Sequence, residues 1–221
     1  MRIGAVALAL VVLPLGPLAG RAPRAVPAEE GFTPLFNGKD LTGWKVIGGQ
    51  PDSWQVVDGL LVCAGKGGGW LGTEKQYADF ELRLEYRLPP GGNSGVYLRA
   101  PDSGHISRVG MEIQLLDDND PRYARLNYYQ YTGALYHVAA PTQRATKPAG
   151  QWNELAIRLD GRLLIVTING KQVLHADLDA CRKDPAVAKE HPGLARTTGR
   201  IGLQHHHNRA EFRNIRVKEL R

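Results

Sequence analysis

Residues 80–88 read F-E-L-R-L-E-Y-R-L, and this stretch decides the fold class. Apolar and charged side chains alternate along it, which is typical of a β-strand with one face in the core and the other accessible to solvent. The turn residues Pro89-Pro90-Gly91-Gly92 follow directly and end the strand. The pattern predicts an antiparallel sheet that is covered on one side.

Short strands of the same kind recur along the chain. The dipeptides Asp58-Gly59 and Asn169-Gly170 suit tight hairpin turns between such strands. A glycine-dense stretch, residues 65–72, predicts a loop that holds Trp70. Roughly ten to thirteen short strands, with no convincing amphipathic helix, predict an all-β fold. Glycine and proline at this density favour a jelly-roll β-sandwich, in which one sheet face can curve into a groove.

The N-terminal segment has the layout of a secretory signal peptide. Residues 1–28 contain no acidic residue, begin with Arg2 and an apolar run, and end in Val26-Pro27-Ala28, where small residues suit a cleavage site. The run is too short for a comfortable membrane span, which needs about 20 apolar residues. We therefore expect residues 1–28 to be removed. Residues 29–221 should then form one exported domain, periplasmic or extracellular and free of the membrane.

The charge of the expected mature chain is close to balance. Removing residues 1–28 takes away three arginines and leaves 25 basic against 22 acidic residues. No cluster of lysine and arginine is interleaved with aromatic residues, so nucleic acid is not an expected partner. The two cysteines, Cys63 and Cys181, are too few for a disulfide scaffold, and whether they pair stays open.

A second alternating stretch places polar groups on one face of a strand. Residues 110–117 read G-M-E-I-Q-L-L-D, so the apolar residues at odd positions share the core face while Glu112 and Gln114 point the other way. On an exposed face these two would be ordinary solvated side chains. Inside a groove they would be a sugar-binding or proton-transfer pair.

The same alternation of side-chain directions applies to two further strands. It turns Tyr97 and Arg99 away from the core in one strand, and Gln204 and His206 in another. If these strands are neighbours of residues 110–117 in one sheet, their common face is a groove. That groove would hold carboxylate, imidazole, guanidinium and amide groups.

The chain also carries an ordered set of short motifs. They are Leu35-Phe36-Asn37-Gly38-Lys39-Asp40-Leu41-x-Gly43-Trp44, Asn93-Ser94-Gly95-Val96-Tyr97-Leu98-Arg99, Glu112-x-Gln114-x-x-Asp117, Gly133-Ala134-Leu135-Tyr136, Lys147-Pro148-x-Gly150-x-Trp152-Asn153, Asn169-Gly170, Gly202-Leu203-Gln204-x-His206 and Phe212-Arg213-Asn214-Ile215. In this order they resemble the 3-keto-disaccharide hydrolase family, over essentially all of residues 32–220. One departure is Gln204-His205-His206-His207, where the family often reads Gln-Asp-His-Gly. His205 thus replaces an acid that would be a metal ligand or would orient a histidine.

The resemblance implies a concanavalin A-like jelly roll that cleaves glycosides already oxidised to a ketone at C3 of the sugar. The ketone acidifies the C2 hydrogen, so a base can remove it and the resulting enolate can expel the glycosidic oxygen from C1. Water then adds to the 3-keto-2-hydroxy-glucal, which completes a net hydrolysis. Such an enzyme needs a base near C2 and a cationic or hydrogen-bonding partner for the ketone oxygen.

Candidate residues for these roles come from the polar face and the matched motifs. His206 is the leading base or acid, because histidine ordinarily titrates near neutral pH. Glu112 is the alternative base, or the group that orients it. Arg99 and Lys147 are candidates for stabilising the ketone or enolate oxygen. The expected sugar-binding residues are Gln114, Gln204, Tyr97, Tyr136 and His137.

Each candidate also has a purely structural interpretation. Glu112 would be solvated or paired with an arginine, Arg99 would form a structural ion pair, and Lys147 would be solvated. His205-His206-His207 cannot ligate one ion from a regular strand, because neighbouring residues alternate faces. The oxygens of residues 117–120 suit Ca²⁺ but lack EF-hand spacing, which leaves a turn or a structural Ca²⁺ site. No cofactor is firmly expected, and a divalent cation, structural or catalytic, stays open.

The expected partner is an oxidised (3-keto) sugar. A non-catalytic carbohydrate-binding module is the alternative function. Sandwiches of this kind serve as lectins as readily as enzymes, and fold alone does not choose between them.

Overall fold

The structure, a computed structural model, describes residues 29–220, and within this range thirteen strands form two antiparallel sheets. The predicted all-β sandwich is confirmed. The predicted signal peptide, residues 1–28, lies outside the described residues. Between residues 29 and 220 there is no helix of the length and apolar character needed to cross a membrane.

The elements are short and follow each other closely along the chain. The strands are β1 (Thr33–Pro34), β2 (Trp44–Ile47), β3 (Trp54–Val57), β4 (Leu60–Ala64), β5 (Trp70–Tyr77), β6 (Phe80–Arg87), β7 (Asn93–Ala100), β8 (Met111–Leu116), β9 (Asn153–Asp160), β10 (Leu163–Ile168), β11 (Lys171–Asp177), β12 (Gly199–Gln204) and β13 (Arg209–Glu219). The helices are α1 (Ile106–Val109), α2 (Leu178–Cys181) and α3 (Pro185–Glu190), with 3₁₀ turns at Pro51–Ser53, Pro121–Tyr123, Tyr128–Gln130 and Pro192–Ala195.

The two sheets differ in size. The large sheet has the strand order β11-β10-β9-β6-β13-β4-β3, with β1 also paired to β13. The small sheet has the order β2-β5-β12-β7-β8. Strands that are adjacent in each sheet often come from distant parts of the chain, which is the connectivity of a jelly roll rather than of a simple meander.

The core lies between the sheets and follows the predicted alternation. In β6 every second residue from Phe80 onward is buried, while the charged residues between them are half-buried on the outer side. From the small sheet, the side chains of Met111, Ile113 and Leu115 enter the same core. Burying one such side chain stabilises the fold by about 1.5–3 kcal/mol, so the alternation fixes which face of each strand turns inward.

Both predicted hairpin turns are confirmed. Asp58 and Gly59 join β3 to β4 with φ of 52° and 75°, and Asn169 and Gly170 join β10 to β11 with φ of 49° and 77°. Positive φ at two successive residues is the backbone of a type I′ turn, which these dipeptides tolerate.

The position of Trp70 differs from the prediction, and the structure settles whether the two cysteines pair. Trp70 is the first residue of β5 and does not lie in a loop, because glycines in β5 and β12 leave room for its ring on the sheet. Cys63 and Cys181 are free thiols. The fold is therefore held by packing and hydrogen bonds rather than by a bond between these two residues.

Candidate active site

The side of the small sheet that faces away from the core collects predicted polar residues from three neighbouring strands, and Trp70 from a fourth. Residues paired across adjacent strands share a face. The pairs are Glu112–Tyr97, Gln114–Gly95, Tyr97–Gly202 and Gln204–Trp70. We call the surface made by Trp70, Gly95, Tyr97, Glu112, Gln114, Gly202 and Gln204 the outer polar face. The structure thus brings four of the predicted residues together.

Glu112 is the most unusual group on the outer polar face. Its side chain is only 2 % exposed, and among residues 29–220 no hydrogen-bond donor or cation pairs with its carboxyl group. Burial raises the pKa of Glu112 to about 8, because water that would stabilise the ionised form is excluded. A carboxyl group with a pKa in this range can take up and release protons near neutral pH.

Gly95 makes room for the Glu112 side chain. A Cβ at Gly95 would overlap Oε1 of Glu112 and lie 3.0 Å from its Cδ. The carboxyl group therefore lies over the backbone of β7, in space that any larger residue would fill. Glycine inside a strand often marks such a close approach.

Tyr97 and Gln204 border this carboxyl group. Burial raises the pKa of the Tyr97 hydroxyl, and the neighbouring Glu112 raises it further, while the nearby amide of Gln204 lowers it. The phenol is therefore protonated at neutral pH and can donate a hydrogen bond. The ring of Tyr97 packs edge-on against Trp70, with centroids 5.6 Å apart at 87°.

Trp70 forms an aromatic floor next to the polar groups. A Cβ at Gly72 would come within 2.7 Å of its indole ring, and one at Gly202 within 2.5 Å. These two glycines are paired across β5 and β12, so the ring packs directly on the sheet backbone. A few polar groups next to an aromatic surface are typical of small-ligand sites.

Tyr136 and His137 lie beside Glu112 in a segment that hydrogen-bonds to β8. The N–H of Tyr136 donates to the carbonyl oxygen of Glu112 at 2.9 Å. His137 is exposed, and its ring centroid lies 4.4 Å from that of Tyr136. Gln130 Nε2 is 3.4 Å from the Tyr136 hydroxyl oxygen. These residues flank the outer polar face at the edge of the small sheet.

Arg99 does not reach the outer polar face, and its predicted orientation is wrong. Its φ of 46° interrupts the alternation of β7. The buried guanidinium donates to the carbonyl oxygens of Ala78, Arg196 and Gly161 at 2.8–3.0 Å. It also pairs with Asp79 at 2.8 Å. With its donors used in this way, Arg99 joins separate loops of the fold, and the structure does not place it at a ketone oxygen.

His206 and Lys147 also lie apart from Glu112. His206 follows the end of β12 and is exposed in a loop, with its ring 6.2 Å from that of His207. Lys147 precedes β9 of the large sheet, and its Nζ donates to the carbonyl oxygen of Trp152 at 3.1 Å. Neither residue forms a hydrogen bond or ion pair with Glu112, so the expected grouping of base, acid and cation is not found.

Three of the residues considered for metal binding, His205, Asp117 and Asp120, have hydrogen-bond partners within the protein. His205 Nε2 lies 3.0 Å from a backbone carbonyl oxygen. Asp117 accepts from the N–H of Gly91, and Asp120 accepts from the N–H of Arg122, both at 2.9 Å. Across residues 29–220, no group of three or more His, Cys, Asp or Glu side chains is arranged to hold a metal ion. The acidic stretch at 117–120 is a hydrogen-bonded turn.

A depression of about 460 Å³ lies on the outer side of the large sheet. Most of its charged side chains pair with nearby charges, as Arg83 does with Glu81 at 2.6 Å and Arg216 with Glu29 at 3.1 Å. The unpaired buried carboxyl group of Glu112 makes the outer polar face the better candidate.

Two residues at or near this face are not evident from the alternation of the sequence. The glycine-dense stretch predicts a loop for Trp70, and Asn93, the first residue of β7, is not among the predicted site residues. For Trp70 the available signal is glycine inside strands, because Gly72 and Gly202 leave space for its ring.

Comparisons with known proteins agree on the family. The sequence profile of the 3-keto-alpha-glucoside-1,2-lyase-like domain matches residues 31–218. A 3-keto-disaccharide hydrolase from Bacteroides thetaiotaomicron is 26% identical, over 86% of this chain and 79% of that protein. The structure is similar to that of a provisionally assigned glycosyl hydrolase from Parabacteroides distasonis, with a TM-score of 0.77 and 28% identity, over 86% of this chain and 95% of that one.

The fold is shared more widely. The carbohydrate-binding module CBM66 from Bacillus subtilis matches with a TM-score of 0.53 at 12% identity, over 80% of this chain and 96% of that one. At this identity the likeness shows the fold alone. The family profile, in contrast, spans nearly all of the described residues, and the chain therefore belongs to the 3-keto-alpha-glucoside-1,2-lyase-like domain family.

Proposed function

We propose that this protein cleaves glycosides whose sugar carries a ketone at C3, and that the outer polar face is its active site. The observation that carries the proposal is the buried, unpaired carboxyl group of Glu112. Tyr97, Gln114 and Gln204 supply hydrogen-bonding groups on the same face. Membership of the family supports the substrate class.

In the proposed reaction, Glu112 is the proton-transfer group. Its carboxylate removes the proton from C2, and the electrons of the broken C–H bond form an enolate with the C3 oxygen. When the ketone re-forms, these electrons make the C1=C2 double bond and the glycosidic C1–O bond breaks. The leaving oxygen takes the proton from Glu112, and addition of water to C1=C2 completes the net hydrolysis.

The raised pKa of Glu112 suits this role. A carboxylate that binds its proton more tightly is a stronger base, and general catalysis is most effective when the pKa lies near the working pH. With a pKa of about 8, about one tenth of the protein molecules hold the carboxylate form at pH 7.

In this scheme, uncharged hydrogen-bond donors stabilise the negative charge that develops on the ketone oxygen. The hydroxyl of Tyr97 and the amide N–H groups of Gln114 and Gln204 lie on the outer polar face. Hydrogen bonds from fixed donors stabilise developing negative charge most strongly where water is excluded. Arg99 and Lys147 are not needed for this step.

We also propose that the enzyme is exported to the periplasm or beyond the cell. The support is the arrangement of residues 1–28, with a basic start, an apolar run and small residues before position 29. The mass of the protein recovered from an exporting host should correspond to loss of this segment. Recovery of an intact N-terminus would contradict export by this route.

The test of activity is release of the leaving group from a chromogenic 3-keto-glucoside. Running the reaction in heavy water separates the two possible routes, because elimination followed by hydration places deuterium at C2 whereas direct hydrolysis does not. The keto-sugar product, incubated alone, controls for spontaneous exchange. If no leaving group is released while sugar binding is retained, the protein is a sugar-binding module instead.

A further inference from the structure

Two amide oxygens on the small sheet have no hydrogen-bond partner within residues 29–220. They are Oδ1 of Asn93 and Oε1 of Gln204, and both atoms are shielded from solvent. A buried acceptor without a donor destabilises the fold, so native proteins keep few of them. Two such atoms near one candidate active site call for a common explanation.

Both amides lie on the same face of the small sheet as the Glu112 carboxyl group. Asn93 and Gly95 are two residues apart in β7 and share a face, at a separation of about 7 Å along the strand. Glu112 extends over Gly95 on that same face. The hydroxyl of Ser94 donates to the backbone carbonyl oxygen of Gln204 at 2.8 Å, and this bond holds the end of β12 against β7. Both amides therefore belong to the sheet face on which Glu112 lies.

The chemistry of these atoms specifies the group that would pair with them. An amide oxygen is an acceptor, so it requires a donor from the ligand. Ketone and ether oxygens of a sugar cannot donate, but each free hydroxyl can. The two acceptors thus complement hydroxyl groups of the sugar rather than its ketone or its glycosidic oxygen.

We infer that Asn93 and Gln204 bind hydroxyl donors of the sugar and make the enzyme select hydroxylated sugars over deoxy or O-methylated ones. The inference rests on the proposed function for the position of the sugar. Rejection of analogues that lack the hydroxyl can be strong, because the buried acceptor would then stay unpaired. Asn93 is thereby assigned a role in specificity that complements proton transfer by Glu112.

The experiment compares a 3-keto-glucoside with its 4-deoxy and 6-deoxy analogues. The variants are Asn93→Leu and Gln204→Met, which keep the size of the side chain and remove its amide. Gln76→Met is the matched control, because Gln76 is an exposed glutamine in β5 of the same sheet. Binding of the corresponding unoxidised glucosides, followed by NMR titration, gives a second measurement that does not depend on cleavage.

We expect the wild-type protein to lose at least about tenfold in kcat/KM on one or both analogues. Each amide variant should lose a similar factor on the parent substrate and should discriminate less between the parent and an analogue. The thermal midpoints of both variants should equal or exceed the wild-type value, because an unpaired buried acceptor has been removed. Gln76→Met should change neither property.

Equal discrimination by the wild type and both amide variants would overturn the inference. A lower thermal midpoint with unchanged discrimination would also overturn it, since it would identify the amides as structural groups. If no 3-keto-glucoside is cleaved but glucosides bind with the expected discrimination, the inference stands and the proposed reaction is wrong.

Discussion

Replacing Glu112 by glutamine should remove activity and, at the same time, make the protein more stable. Glutamine has nearly the same size as glutamate but cannot accept the C2 proton. Loss of a general base typically lowers the rate about 10²–10⁴-fold. The gain in stability follows from the raised pKa of Glu112, which shows that burial destabilises its ionised form. Glutamine carries no charge and avoids this cost.

The size of the gain depends on pH. The pKa of Glu112 is raised from its ordinary value of 4.5 to about 8 in the folded protein. Between these values the folded state binds one more proton than the unfolded state, so the free energy of unfolding falls by about 1.4 kcal/mol for each pH unit gained. The stabilising effect of the protonated group is complete below about pH 4.5 and is lost as pH rises through about pH 8. Relative to its value below pH 4.5, the free energy of unfolding is lower by about 3 kcal/mol at pH 7 and by about 5 kcal/mol above pH 8.

Scanning calorimetry of wild type and Glu112→Gln across this pH window measures the effect. A gain of about 3 kcal/mol at pH 7 corresponds to a rise of roughly 6–12 °C in the thermal midpoint for a domain of this size. Glu74→Gln is the control, because Glu74 is an exposed glutamate in the same sheet. A difference in midpoint between Glu112→Gln and wild type that does not change with pH would refute the reasoning, whatever its sign.

Three further variants and one change of pH test other parts of the structure. In the wild type, kcat/KM should rise with pH and level off near about pH 8; a plateau reached already in the ordinary range of glutamate would contradict base catalysis by Glu112. Gly95→Ala should lower turnover at least about tenfold, because the added Cβ displaces the carboxyl group; unchanged kinetics would show that this position is not critical. Arg99→Met should lower the free energy of unfolding by about 3–5 kcal/mol, measured in urea, because Asp79 loses its cationic partner and three carbonyl oxygens lose their donor, while kcat of the folded protein stays near wild type. His206→Ala should retain turnover within about threefold, since exposed residues away from reacting groups have small effects; a hundredfold loss in the same assay would restore His206 as an acid or base.

Much of the fold was predictable because alternation depends on local sequence alone. The strand at residues 80–88, the hairpin turns at residues 58–59 and 169–170, and the core face of residues 111–115 were all read from neighbouring residues. Pairing of distant strands was not predictable in this way. It follows from packing of whole sheets, which one sequence does not display.

The candidate site was predicted in part for the same reason. The alternation of side chains along each strand correctly placed Glu112, Gln114, Tyr97 and Gln204 on one face. It failed for Arg99, because a single residue with positive φ reverses the alternation. His206 lies beyond the end of its strand, where this alternation no longer applies.

The bonds made by Arg99 also bear on how the chain folds. Its guanidinium reaches Gly161, 62 positions later in the chain, and Arg196, 97 positions later. Contacts of such long range form only after large loops have closed, which slows folding in proteins dominated by them. A contact completed after the transition state changes the unfolding rate rather than the folding rate. We expect the contacts of Arg99 to form after the folding transition state, so its loss should shorten the lifetime of the native state with little change in the folding rate.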